Sequence, residues 1–439
     1  MGANETRQAI EAVYRIERAR LIAGLARLVR DIDRAEELAQ DALVAALSEW
    51  PATGVPANPG AWLMTAAKRR GIDALRRDKM RGRKHAAWTG DEIARELHGT
   101  SDTTAAIETA LDDDLGDELL GLIFTACDPA LPPAARTALT LRIIGGLTTD
   151  EIARAFLSTE ATIAQRIVRA KKTIAKAGLR FEVPRGAVRA ARLASVLEVI
   201  YLIFNEGYAA TSGEVLIRPG LCLEAQRLGR MLAGLMPDRA PGKEPEAAAA
   251  QKAEVYGLLA LMEIQASRLP ARTGPDGAFI PLTEQTRARW DKLLIRRGLA
   301  ALAHAEKLGR EAGIEGPYAL QAALAACHAR ARSPADTDWP RIAALYDRLR
   351  AIMPSPVVDL NRAVAHSMAF GPEAGLLLLD DIPGAAALRN YAPLPAARGD
   401  FLFRCGRLAE ARSEFEAAAS LTRNAREAAF LRARAGACQ

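Results

Sequence analysis

Cysteine is scarce and scattered. Cys127, Cys222, Cys327, Cys405 and Cys438 form no CxxC pair. That argues against a zinc site and a disulfide framework, and fits a reducing cytoplasm. Aromatic residues make up only 5% of the chain. No segment approaches the roughly 18 uninterrupted apolar residues of a membrane span, and the N-terminus lacks the apolar core of a secretory signal. No run of β-branched residues alternates with polar ones, so no sizeable sheet is expected. His85, His98, His304, His328 and His366 fall at no ligand spacing such as HExxH. A glycine-rich phosphate loop and a GxSxG elbow are also missing. Neither catalysis, a cofactor nor a resident metal is expected.

What remains is a helix-forming composition. Ala, Leu, Arg and Glu dominate, and half of the 439 residues are hydrophobic. Such residues favour helix nearly everywhere, and the length exceeds one ordinary core. The expectation is an all-α chain of two or three domains.

Net charge is +6, unevenly spread. Lys68, Arg69, Arg70, Arg76, Arg77, Lys79, Arg81, Arg83 and Lys84 cluster against only Asp73 and Asp78. From Asp91 to Glu118 the sign reverses, with Arg95 alone opposing ten acids. Past Thr159 the chain is basic again. A basic–acidic–basic order suggests two polyanion-binding modules joined by an acidic tether.

Residues 7 to 50 show helical periodicity, broken near Asp31–Asp33. Pro51, Gly54, Pro56, Pro59 and Gly60 then predict a loop, and a helix follows from about Ala61 to Arg83. Further on, Pro132–Pro133 suits a helix start and Gly145–Gly146 a helix end, with Thr148 or Thr149 as the next N-cap and Glu151 just inside. In "TTDEIARAFLSTEATIAQRIVRAKKTIAKAG" two helices are predicted, Thr149 to Phe156 and Glu160 to Gly178. Ile152, Ala153 and Phe156 make one apolar face, and Ile163, Ile167 and Ile174 another. Thr162, Gln165, Arg166, Arg169, Lys171 and Lys172 point elsewhere. This is the layout of a helix-turn-helix, and equally of a helical hairpin with a solvated charged face; the surroundings decide. Gln and Arg suit base edges, whereas Lys171, Lys172 and Lys176 suit phosphates.

Upstream, Trp50 and Trp62 flank the Pro/Gly loop, and the cationic helix follows. Basic side chains neutralise phosphates, and a loop pocket can accept an unstacked base. Trp62 and Leu63 read as core anchors.

"DRAEELAQDALVAALSEW…NPGAWLMTAAKRRGIDALRR" resembles region 2 of extracytoplasmic function (ECF) sigma factors. "LPPAARTALTLRIIGGLTTDEIARAFLSTEATIAQRIVRAKKTI" resembles their region 4. Stretches such as "YLIFNEGYAATSGE" and "PSPVVDLNRAVA" are similar to the subgroup with a long C-terminal tetratricopeptide-like extension. The resemblance implies four parts: region 2 at 1–85, an acidic linker at 86–114, region 4 at 115–184, and a helical regulatory domain at 185–439. It implies docking of Asp33, Glu36, Glu37, Leu38, Gln40 and Asp41 on the β′ clamp helices of RNA polymerase core. It places promoter −10 DNA at Lys68, Arg69, Arg76, Arg77 and the loop with Asn58. The −35 element would meet Thr162, Gln165, Arg166, Arg169, Lys171 and Lys172. The linker reads either as a segment threading the polymerase interior or as a plain tether. Ala161 and Ala164 stand where polar residues are common in the family, which bears on promoter sequence rather than role.

In the last part, Gly399, Leu402, Gly406, Ala411, Phe415 and Ala418 fall at tetratricopeptide spacing, with an imperfect copy in "DLNRAVAHSMAFGPEAGLLLL". A domain of this kind would bind a protein segment, within the chain or from a partner. In "FNEGYAATSGE", Asn205, Glu206 and Tyr208 read as a polar cap with a core tyrosine, or as a ligand or domain contact. The rival to a sigma factor is a helix-turn-helix regulator with a tetratricopeptide sensor that never engages polymerase core.

Overall fold

The computed structural model describes residues 3–85, 118–156, 158–184, 186–209, 217–236, 245–274, 277–382, 388–422 and 424–438. The expected acidic linker, 86–114, lies outside them. The chain is all-α, and among the described residues no strand occurs beyond an isolated bridge between Thr273 and Phe279. It forms two compact units, residues 1–154 with 158–199, and residues 155–157 with 200–439.

The first unit opens with three long helices, α1 (Ala3–Val29), α2 (Ile32–Thr53) and α3 (Pro59–His85). Arg30 adopts φ 58°, which breaks α1 from α2. Asp31 then caps α2, its carboxylate accepting from the Arg34 N–H at 2.9 Å. Leu21, Ile22, Leu25, Leu38, Trp50, Leu63 and Met64 bury their side chains between the three helices.

Pro51 does not begin the loop. It sits inside the last turn of α2, and the helix ends at Gly54, with φ 84°. A proline in a final turn loses one backbone hydrogen bond, and its fixed φ still suits a helix. Asn58 caps α3, its Oδ1 accepting from the Ala61 N–H at 3.1 Å, so Pro59 takes the first helical position, where its missing N–H costs nothing.

A helical segment, α4 (118–126), leads to α5 (Pro133–Ile143), α6 (Thr149–Ala155) and α7 (Glu160–Lys176). Thr148 is the N-cap of α6, in a reciprocal box: its N–H donates to Glu151 at 2.7 Å, and the Glu151 N–H donates to Thr148 Oγ1 at 3.1 Å. Thr159 caps α7. Ile163, Ile167, Ala170 and Ile174 form its buried stripe.

The unit boundary falls within α8 (Gly186–Tyr208), between Val199 and Ile200. The first part of α8 is tied to the α4–α5 region. Arg192 pairs with Asp128 at 2.7 Å, Arg136 pairs with Glu198 at 3.1 Å, and Ser195 Oγ donates to the Cys127 carbonyl at 2.5 Å.

The second unit continues with α9 (Pro219–Leu235), α10 (Pro245–Ala266), α11 (Lys292–Ala312), α12 (Pro317–Arg330), α13 (Trp339–Ile352), α14 (Pro356–Phe370), α15 (Pro372–Asp380), α16 (Pro393–Arg404), α17 (Leu408–Leu421) and α18 (Ala425–Gly436). From α12 onward each helix packs on the next. Gly399 and Leu402 lie on α16, Gly406 turns the chain with φ 74°, and Ala411, Phe415 and Ala418 lie on α17. A Cβ at Gly399 would come within 3.1 Å of the Phe415 ring, so glycine is what lets the two helices close. Phe415 is 2% exposed. Phe415→Ala is expected to destabilise the second unit by about 3–5 kcal/mol, read as a lower urea midpoint for its transition with the first unit's transition unchanged.

Candidate nucleic-acid interface

The helix-turn-helix is built from α6, the turn through Ser158–Thr159, and α7. On α7 the apolar stripe faces inward, leaving Ala161, Gln165, Arg169, Lys172 and Lys176 exposed at three- and four-residue spacings. These share one outer face. Thr162 is half-buried at the helix start, its hydroxyl 2.7 Å from that of Thr159. Arg166 is also half-buried.

Lys171 behaves differently. Its Nζ lies 2.5 Å from Glu36 and 2.6 Å from Asp33, both on α2. Burial lowers the pKa of an amine, but hydrogen bonds and charge from Asp33 and Glu36 outweigh it here, and the Lys171 pKa stands above its ordinary 10.5.

Glu36 is the centre of this cluster. Arg18 of α1 donates to its carboxylate at 2.7 Å and to the Arg142 carbonyl of α5 at 2.8 Å. Arg142 Nε stands 3.9 Å from the same carboxylate. Glu36 and Lys171 side chains are each 11% exposed, while Asp33 is 69% exposed. Three cations around one enclosed carboxylate join α1 and α2 to α5 and α7. Arg18 and Arg142 were not singled out in the sequence; a lone arginine inside the apolar run "LTLRIIGG" is the signal that could have flagged Arg142.

The other positions proposed from sequence for polymerase docking follow the outer face of α2. Glu37, Gln40 and Asp41 are exposed there, continued by the exposed apolar side chains of Val44 and Leu47. Leu38 is 6% exposed and serves the core of the three-helix bundle instead of this surface.

On α3, Arg69, Arg70 and Arg76 are exposed and Lys68 is half-buried. Arg77 lies on the same helix, with its side chain outside the described residues. Arg70 donates to the Asp41 carbonyl, which ties the basic helix to α2. Asn58 is exposed, but its side-chain oxygen is engaged as the α3 cap, leaving the amide NH2 outward. Trp50 is buried and meets Trp62 edge to face, centroids 5.3 Å apart, so this pair anchors the loop between α2 and α3.

Family models match residues 13–81 as sigma-70 region 2 and residues 123–174 as sigma-70 region 4. The chain belongs to the sigma-70 family. A third model, a family of unknown function (DUF6596), matches residues 192–306, within the C-terminal extension of this sigma factor. An uncharacterized protein of Rhizobium meliloti (strain 1021) is 42% identical over 416 residues, covering 94% of this chain and 92% of the relative. No solved structure matches the chain. Among the described residues no helix is long and apolar enough to cross a membrane.

Glu36→Ala is expected to destabilise the first unit by about 3 kcal/mol, because it strands enclosed cations. Asp33→Ala should cost under about 1 kcal/mol, being exposed. Because the folded Lys171 pKa is raised, its contribution is fully present below about pH 10.5 and is lost as pH rises beyond that. The stability difference between wild type and Lys171→Met, measured by urea denaturation, should therefore be flat across neutral pH and shrink only at strongly alkaline pH.

Proposed function

We propose that the chain is an alternative sigma factor of the ECF class, with region 2 opening −10 DNA, region 4 reading the −35 element, and the C-terminal extension, tetratricopeptide-like in its spacing, regulating both in cis. One observation carries this reading: the two sigma modules each present an exposed face of the chemistry their role needs. The α7 face of Gln165, Arg169, Lys172 and Lys176 offers forked or flexible donors to base edges and phosphates. The α2 face of Glu37, Gln40 and Asp41, with Val44 and Leu47, offers acids beside apolar side chains to a protein partner. Arg69 and Arg76 on α3 supply positive charge to a strand near the loop of Asn58.

Asp33, Glu36 and Lys171 cannot hold one another and their partners at once. Docking of Asp33 and Glu36 on the β′ clamp helices, and of Lys171 on promoter phosphate, therefore exchanges an internal ion cluster for external contacts. The free chain is the closed form, and core polymerase together with DNA selects the open one. This favours weak binding of free DNA by the isolated chain.

Purified core polymerase with the full chain should give discrete transcripts from DNA upstream of its gene. Arg169→Ala and Lys172→Ala should each weaken promoter binding and reduce the log–log salt slope by about 0.9 if the lost contact is to phosphate. Absence of both transcripts and core binding would contradict the proposal and leave a helix-turn-helix regulator that acts on DNA alone.

A further inference from the structure

Two aromatic residues of the second unit pack against positive charge. Tyr208, at the end of α8, and Trp290, just before α11, flank a group of three arginines. The Arg272 guanidinium lies over the Tyr208 ring, 3.9 Å from its centroid, and that of Arg287 lies over Trp290 at 4.0 Å. Arg268 stands between the rings, 5.7 Å from Tyr208 and 5.8 Å from Trp290. Arg268 and Arg272 are 8% and 9% exposed.

Elsewhere in this unit enclosed acids and arginines find each other. Arg230 pairs with Glu263 at 3.0 Å, Arg350 with Asp359 at 2.6 Å, and Arg218 with Glu206. The three arginines of this group form no ion pair with any described carboxylate. Their polar contacts are neutral: Arg268 donates to Gln265 at 3.2 Å and Arg287 to the His328 carbonyl at 3.0 Å. Buried and without an acceptor are Nε of Arg268, Arg272 and Arg287 and the Trp290 indole N–H. Burial, then repulsion from Arg268, lowers the Arg287 pKa, and burial followed by Arg268 and Arg287 holds His328 down to about 4. The imidazole is therefore neutral and adds no further cation at physiological pH.

Enclosed positive charge without a counterion is unfavourable, as is each buried N–H without an acceptor. Ring stacking fixes the guanidinium planes and leaves their N–H edges available, the arrangement that receives a planar or tetrahedral oxyanion. We infer that the group formed by Arg268, Arg272 and Arg287 between Tyr208 and Trp290 is a binding site for the oxyanion of a small acid, phosphoryl or carboxylate. Such a ligand would supply both the acceptors and a negative charge that no described carboxylate gives these arginines. It also joins the end of α8, the connection between α10 and α11, and α12, because Tyr208, Arg272, Arg287 and the His328 carbonyl all border the site. The "FNEGY" stretch then has a use beyond capping, since its tyrosine is the platform for Arg272. The site is independent of the sigma assignment, which rests on the other unit.

Calorimetric titration and thermal melting of the full chain test this, using inorganic phosphate and citrate in parallel, each against chloride at equal ionic strength. The expected result is saturable binding of one of them, tighter than about 1 mM, with a matching rise in the second unit's melting temperature. Phosphate preference would identify a phosphoryl ligand, and citrate preference a carboxylate. Arg272→Gln and Arg287→Gln should each weaken binding at least about tenfold, a loss of about 1.4 kcal/mol. Arg348→Gln, which removes an exposed partner of Glu315 in the same unit, should leave it unchanged. Without added anion, Arg272→Gln should melt no lower than wild type, because it removes an enclosed charge that no described carboxylate pairs. Failure of both anions to bind above chloride, or binding that both variants retain, would overturn the inference. So would a lowered anion-free melting temperature in both variants with no anion-induced rise in wild type, which would assign the arginines to packing.

Discussion

The carboxylate of Glu36 is the constraint on which the first unit depends. It receives Arg18 from its own bundle and Lys171 from α7, the second helix of the helix-turn-helix, with Arg142 close by. An enclosed charge of this kind is favourable only while its partners stay in place, so the cluster specifies one arrangement of region 2 against region 4. It is also an arrangement made of reversible contacts. Ion pairs exchange partners in a way that an interlocked apolar core cannot, which is what the proposed separation of the two modules on a promoter requires.

The helices were legible in the sequence because their signals are local. Thr148 with Glu151, Thr159, Asp31 and the Pro132–Pro133 pair each act within one turn, and the apolar stripe of Ile163, Ile167 and Ile174 has the period of a helix. The exception, Pro51, was also local: a proline near a helix end is tolerated where one in the middle is not. The exposed Gln165, Arg169 and Lys172 were legible for the same reason. Lys171, adjacent to them, was not, because its partners lie more than a hundred residues away and nothing in its neighbourhood marks it as enclosed. Leu38 illustrates the converse, a residue inside a family motif whose side chain faces the bundle.

The second unit repeats the lesson with different chemistry. Small residues at Gly399 and Gly406 announce a tight helical hairpin, since close approach and positive φ leave few alternatives. The arginine group could not be read this way. Arg268, Arg272 and Arg287 occur in a stretch without regular periodicity, and the tyrosine beneath Arg272 comes from a helix about sixty residues earlier. Convergence of like charges is a property of the folded chain alone. The Glu36 cluster and this arginine group thus carry charge in opposite ways, the first neutralised by acids and the second without a described carboxylate partner.

The most direct test is the separation of α2 and α7 in solution. Energy-transfer dyes at positions 40 and 172, in a background where the partly exposed Cys405 is replaced by serine, would report it in the full chain before and after addition of polymerase core. Efficient transfer in the free chain that falls on core binding, and a low-transfer state already present in free Glu36→Gln, is the predicted result. Transfer unchanged at saturating core polymerase would contradict the exchange of the Glu36 cluster for polymerase contacts.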